Sequence, residues 1–157
     1  MKSILGTLAL GALLALPLAA IAAGDAADPV LGTWKLNVEK SKNDKMPKSE
    51  TRTYAAADGG VKLSWKRVGA DGKHTAVETT YKYDGKDYPI TGSPDFDSLS
   101  VKRVGSHTAE ATQKLNGKVA GTTKRTVSKD GKTLTLVSKS TNAKGEETTS
   151  TMVYDRQ

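Results

Sequence analysis

Apolar and polar residues alternate along most of this chain. Val61, Leu63 and Trp65 fall on one side of a period of two, and Lys62, Ser64 and Lys66 on the other. Val77, Thr79, Tyr81 and Tyr83 oppose Ala76, Glu78, Thr80 and Lys82, while Leu99 and Val101 oppose Ser100 and Lys102. Successive side chains of a β-strand point to opposite faces, so this pattern predicts strands with one dry face and one wet face. Turn signals separate the runs: Asp58-Gly59, Asp71-Gly72, Asp84-Gly85, Asn116-Gly117, Asp130-Gly131 and Lys144-Gly145. Asp-Gly and Asn-Gly suit tight hairpins because both central residues tolerate positive φ. Strands are predicted over 32–38, 49–57, 61–69, 74–83, 98–104, 108–115, 118–128, 133–141 and 147–155, with a shorter one over 86–90. The charged stretch 39–48 has room for one helical turn but lacks the apolar stripe of a packed helix.

Eight to ten successive antiparallel strands with one dry face must close into a barrel or divide into two sheets. The short turns favour an all-β, up-and-down meander closed into a barrel. A Greek key needs long crossovers, and only 39–48 and 91–97 have the length for one.

Residues 1–23 change the picture from fold to destination. Lys2 precedes an apolar core from Ile4 to Leu18, Pro17 stands near its end, and Ala20-Ile21-Ala22 offers small residues for signal peptidase. The segment reads as a signal peptide cleaved after Ala22 or Ala23, leaving one domain over 24–157 in the periplasm or outside the cell. An uncleaved anchor is the alternative for an apolar run of this length; the small-residue site argues for processing, and so against stable membrane insertion afterwards.

There is no cysteine. That excludes thiol catalysis, zinc–thiolate sites, disulfides and a lipid-modified cysteine. Lys and Arg number 24 against 17 acids, for a net charge of +7. The lysines are dispersed on wet faces and in turns, as expected of an aggregation-resistant surface; attraction to an anionic surface is the sharper reading. Dispersed lysines without a stacking-aromatic cluster speak against nucleic acid. Asp84, Asp87, Asp95 and Asp97 lack the spacing of a calcium loop, so no metal is predicted. His74 and His107 sit beside turns, and no Gly-x-Ser-x-Gly nucleophile motif is present. Neither a cofactor nor an enzymatic activity is predicted.

Gly32-Thr33-Trp34 opens the first strand. A Gly-x-Trp at the start of a small secreted β-meander resembles the lipocalin and fatty-acid-binding (calycin) superfamily. The stretches GTWKLNVEKSK, YDGKDYPITGSPDFDSLSVKR and VSKDGKTLTL…VYDRQ are similar to small exported bacterial proteins described as lipocalin-like, mostly of unknown function. The resemblance implies that Trp34 plugs one end of a barrel against a late arginine, Arg156 or Arg125, with Gly32 beside it. Three departures stand out: 39–48 is too short for a helix-turn-helix lid, the C-terminal order is Tyr154-Asp155-Arg156 rather than Arg-x-Tyr, and disulfides are absent.

The dry faces also carry polar groups. Alternation extends Val61, Leu63 and Trp65 to Arg67; Leu99 and Val101 to Arg103; Ala109 and Ala111 to Gln113; and Val119, Gly121 and Thr123 to Arg125. Guanidinium groups suit a carboxylate or phosphate. With Tyr54, Trp65, Tyr81 and Tyr83 these residues are the candidate ligand-binding set; simple core packing, or snorkelling of the arginines to solvent, is the plainer reading. Tyr88 and Phe96 border 91–97 and fit a barrel mouth. The expected function is a non-enzymatic exported barrel holding a small hydrophobic or amphipathic molecule, with an anion among the candidates. The alternative is an envelope interaction or inhibitor protein with a filled barrel, binding a protein partner through loops or an edge.

Overall fold

In the computed structural model, which describes residues 27–141 and 144–157, the alternating runs form ten strands. They are β1 (Gly32–Leu36), β2 (Ser49–Ala57), β3 (Gly60–Val68), β4 (His74–Tyr81), β5 (Asp84–Thr91), β6 (Ser98–Arg103), β7 (Thr108–Leu115), β8 (Lys118–Val127), β9 (Thr133–Thr141) and β10 (Glu147–Arg156). Each strand pairs antiparallel with its sequence neighbours, and β1 pairs with β10 to close the ring. The fold is therefore all-β, a closed ten-stranded up-and-down barrel. The signal peptide expected over 1–23 lies outside the described residues.

The expected positive φ at both central residues is realised at Asn116-Gly117 alone among the six turn signals; at Asp58-Gly59, Asp71-Gly72, Asp84-Gly85, Asp130-Gly131 and Lys144-Gly145 only the glycine has it. At the β7–β8 hairpin Asn116 has φ 50° and Gly117 φ 76°, the doubly positive geometry whose twist matches paired strands. The predicted short strand over 86–90 is a full eight-residue β5. Its seam with β4 is the thinnest in the ring, with the register pairs Glu78↔Thr91 and Thr79↔Ile90. Thr79 Oγ1 reinforces that seam by donating to Pro89 O at 2.9 Å.

Most strand ends shift by a residue or two from expectation, and three differences bear on the interior. The first strand stops at Leu36, two residues early. Asn37 turns the chain instead: its side-chain oxygen accepts from Lys40 N, and its carbonyl accepts from Ser41 Oγ at 2.6 Å. The 39–48 stretch is an irregular connection with no helical turn, tied to β10 by mutual Lys42–Thr151 backbone bonds of 2.7 Å. Tyr83 lies in the β4–β5 turn rather than in β4.

Val119 is a correction of face. Gln113 pairs with Gly121, but Lys114 pairs with Val119, so a bulge inserts one extra residue in β8. That extra residue reverses the alternation, and Val119 points outward, 62% exposed.

A meander sends its connections alternately to two ends. One end carries the start of β1, the end of β10 and the turns β2–β3, β4–β5, β6–β7 and β8–β9. The other carries the 37–48 connection and the turns β3–β4, β5–β6, β7–β8 and β9–β10. The core fills the first end and the wall of β2–β6: Trp34, Tyr54, Val61, Leu63, Trp65, Val77, Tyr81, Ile90, Leu99, Val101, Leu134 and Tyr154 are buried.

Candidate functional site

The interior contains two built polar clusters and one polar patch that is incomplete. The first cluster closes the end where β1 begins. Trp34 and Arg156 are register partners, and the Arg156 guanidinium lies 4.1 Å from the indole centroid. Arg156 donates to Leu31 O at 2.7 Å, to Pro29 O at 2.6 Å and to Gly131 O. Trp34 Nε1 donates to Val30 O at 2.7 Å. Residues 27–31 are thereby strapped across the barrel end, with Val30 fully buried. Gly32 makes room for the clamp: its φ is +129°, and a Cβ there would lie 2.6 Å from Arg156 Nη1. Of the two late arginines that the resemblance offered, it is Arg156 that stacks on Trp34.

Above this plug, Arg125 donates to Tyr81 Oη at 2.7 Å and to Tyr83 Oη at 2.6 Å. Tyr83 in turn donates to Asp28, which also accepts from Arg103 Nη2 at 2.8 Å and Val30 N at 3.1 Å. Burial opposes the Asp28 charge, but Tyr83, the Val30 N–H, Arg125 and Arg103 outweigh it and hold its pKa below the ordinary carboxylate value. Burial raises the pKa values of Tyr81 and Tyr83, so both remain neutral hydroxyls. Tyr54, buried on β2, has the Arg125 guanidinium 5.4 Å from its ring centroid.

The second cluster spans β2, β3 and β10. Glu50 is a buried carboxylate accepting from Arg52 Nε, from Arg67 Nε and from Tyr154 Oη, the last at 2.7 Å. Burial works against its charge, yet Arg52, Arg67 and Tyr154 together keep its pKa low. Arg52 also faces the Trp65 ring, 4.7 Å from its centroid. Trp65 meets Phe96 of the β5–β6 connection at 6.5 Å between centroids.

The patch that is incomplete faces inward from β7 to β10 toward the other end. Gln113 Nε2 donates to Thr123 Oγ1 at 2.8 Å, and Thr123 Oγ1 shares a 2.8 Å bond with Ser138 Oγ. Gln113 Oε1 is buried with no hydrogen-bond partner among the described residues. Register continues the patch to Gly121 opposite Gln113, Ser140 opposite Gly121 and Ser150 opposite Ser138. All face inward, yet Ala111, Gln113, Thr123, Ser138 and Ser150 are half-exposed and Ser140 is exposed. An inward side chain reached by solvent lines an opening, so this end is open where the other is sealed.

The sequence-selected residues therefore do not form one pocket. Tyr54, Tyr81, Tyr83, Arg103 and Arg125 come together at the sealed end. Trp65 and Arg67 lie toward the open end, and Gln113 stands across the ring on β7. A single cavity lined by Arg67, Arg103 and Arg125 is corrected by the topology: Arg67 adjoins the β3–β4 turn and Arg103 the β6–β7 turn, at opposite ends. All three arginines also have partners within the chain. Two hollows on the surface, of about 360 Å³ beside Ser49, Lys66 and His74 and about 210 Å³ beside Gly85, Lys102 and Glu110, lie on the outer wall.

Sequence reading missed Asp28, Glu50, Arg52 and Tyr154. The signal for Glu50 and Arg52 was present, since alternation backwards from Tyr54 places both inward. Asp28 had no signal, because it lies before the first strand. Among the described residues no group of His, Cys, Asp or Glu is placed to hold a metal ion.

No protein-family model matches the chain, and no curated protein sequence matches it. Solved structures do match. One is zebrafish ileal bile acid-binding protein complexed with cholic acid, 12% identical, with a TM-score of 0.51, covering 82% of this chain and 99% of that chain. At that identity the likeness speaks for the fold alone, a closed antiparallel β-barrel.

Proposed function

We propose that this protein is an exported, non-catalytic barrel that holds a small amphipathic molecule at its open end. The observation that carries the reading is the contrast between inward faces. On the inner face of β2–β6, Tyr54, Leu63, Trp65, Val77, Tyr81, Ile90, Leu99 and Val101 are buried, whereas toward the open end of β7–β10 Thr123, Ser138, Ser140 and Ser150 are small, polar and reached by solvent. A closed small barrel either fills itself or holds one ligand, and here the filling stops short of that end. The cholic acid in the zebrafish structure supports an amphipathic occupant. Any preference for an anion rests on Arg67, the one candidate arginine near the opening. Export rests on the sequence of residues 1–23, and mature protein beginning near Ala23 or Gly24 in N-terminal sequencing is its check.

Titration with cholate and with a long-chain fatty acid tests the binding. Ligand that binds only the folded state raises stability by RT ln(1 + [L]/Kd), about 2.7 kcal/mol at a hundredfold excess over Kd. A raised thermal midpoint with a change in indole emission is expected, since Trp65 lies beside Phe96 near the opening. A second reading has its own observation: the arginines satisfy one another's partners inside the chain, as in a barrel whose interior is purely structural. No response to either amphiphile would favour that reading, an interaction protein acting through its outer surface.

A further inference from the structure

The hollow of about 360 Å³ on the outer wall lies over β2, β3 and β4, beside the open end. Outward side chains reach it in two adjacent register rows, Ser49–Val68–His74 and Thr51–Lys66–Ala76. Side chains paired across strands on one face stand about 5 Å apart, so the two rows form a single compact group. Ser49, Thr51 and Ala76 are short beside Lys66 and His74, and that difference in height makes the depression. Lys48 joins from the rim. Its backbone N–H donates to Val68 O at 2.9 Å, and its ammonium lies over the β3–β4 turn, 3.8 Å from where a Cβ on Gly72 would stand.

The charge in this hollow is of one sign. None of the residues lining it is acidic. Among the described residues neither Lys48 nor Lys66 forms an ion pair. The carboxylates that adjoin it are engaged elsewhere. Asp71 lies 3.6 Å from Lys73 Nζ and accepts from Lys73 N at 3.0 Å, and Glu78 lies 3.8 Å from Lys62 Nζ. A concave surface lined by one sign of charge focuses the field and concentrates counter-ions. Two hydroxyls and an imidazole N–H in the same place add hydrogen-bond donors.

We propose that this hollow binds the phosphate group of a small soluble molecule, with Lys48 and Lys66 as the cations and Ser49, Thr51 and His74 as hydrogen-bond donors. A carboxylate is planar and is best met by the fork of an arginine. Phosphate is tetrahedral and suits donors arriving from three strands, with lysine ammonium groups as point charges. The hollow does not suit a lipid surface, because none of the large apolar side chains exposed on the molecule lines it. The site is separate from the interior and does not depend on the binding function proposed above.

The test is an NMR titration of the wild-type protein with inorganic phosphate, at an ionic strength held constant with chloride so that screening does not change. Saturable amide shifts are expected, confined to residues 48–51, 66–69 and 72–76. Lys66→Gln should weaken phosphate severalfold, up to about fivefold for one exposed ion pair. Lys48→Gln combined with Lys66→Gln should leave shifts that no longer saturate. Lys124→Gln removes the same charge from β8, elsewhere on the outer wall, and should leave the affinity unchanged. Shifts spread over lysines all round the barrel, or equal weakening by Lys124→Gln, would show an adventitious ion only and overturn the site. Binding to phosphatidic-acid vesicles without any response to inorganic phosphate would overturn it in favour of a membrane surface. The wild-type titration is decisive by itself, whatever the variants do to folding.

Discussion

At the sealed end, charged and aromatic groups are bound to one another; at the open end, a polar network stops one partner short. Arg156 alone caps three backbone carbonyls and covers an indole. Asp28, Tyr83, Arg125 and Tyr81 then form a continuous chain of hydrogen bonds. Gln113, Thr123 and Ser138 form a shorter chain that ends on an unpaired oxygen. Buried polar networks rigidify a core when fully satisfied. The comparison teaches that the inward arginines are each matched by a partner within the chain, whereas the network at the inward amide is left one partner short.

The largest effect is expected at the plug. Trp34→Ala removes a fully buried indole, the stacking surface of Arg156 and a hydrogen bond to Val30 O. A loss of about 3–5 kcal/mol is expected for such a truncation, read as a fall in the denaturation midpoint with or without ligand. An unchanged midpoint would mean that the sealed end does not hold the fold together.

Next is Glu50. Glu50→Gln leaves the Arg52 and Arg67 cations without their carboxylate, and breaking a buried pair costs about 3–5 kcal/mol. The low end is expected, because the Arg67 side chain is 36% exposed and solvent screens it. The pH dependence gives a sign. Glu50 has a folded pKa below its ordinary 4.5, so its stabilisation is fully present above that value and is lost as pH falls through the folded pKa. Asp28 behaves likewise below its ordinary 3.8. Wild-type protein should therefore lose stability on acidification below about pH 4.5, and Glu50→Gln should flatten the upper part of that loss. Parallel acid profiles for the two proteins would contradict the charge assignment.

Asp28→Asn is expected to be milder. It weakens the bonds from Tyr83 and Arg103 but keeps an acceptor for Val30 N, a loss of about 1.5–3 kcal/mol for hydrogen bonds to a charged group. Hydrogen exchange should localise the effect to residues 27–31. A uniform change across the barrel would show that the strap is not an independent latch.

Much of this architecture was legible in the chain itself. Period-two alternation through Val61, Leu63 and Trp65 and the Asp-Gly turns specify strands, faces and hairpins, because both are local properties. Val119 was misplaced because a bulge depends on the neighbouring strand's register, which no local pattern contains. The Arg67–Glu50 and Arg103–Asp28 pairs were illegible for a related reason. Alternation gives the face of a side chain but not its height in the barrel, so arginines at opposite ends read as one cluster. Gln113 was found by its face alone; that its amide nitrogen is engaged while its oxygen is not depends on three strands meeting in register.

The smallest effect on stability should be the most telling about the open end. Ser138→Leu places an apolar side chain at an inward, half-exposed position with no core packed tightly over it. It removes one shared bond to Thr123 but leaves Gln113 Nε2 bonded to Thr123 Oγ1. Losing one such bond costs about 0.5–1.5 kcal/mol, so the denaturation midpoint should fall much less than in Trp34→Ala. The added volume would occupy the space proposed for the ligand, and cholate affinity should fall by at least an order of magnitude. Trp34→Ala would show the reverse pattern, a large loss of stability with affinity retained in whatever fraction stays folded. If Ser138→Leu instead destabilised the barrel as strongly as a core substitution, the open end would be as tightly built as the sealed one. The contrast on which the binding function rests would then be lost.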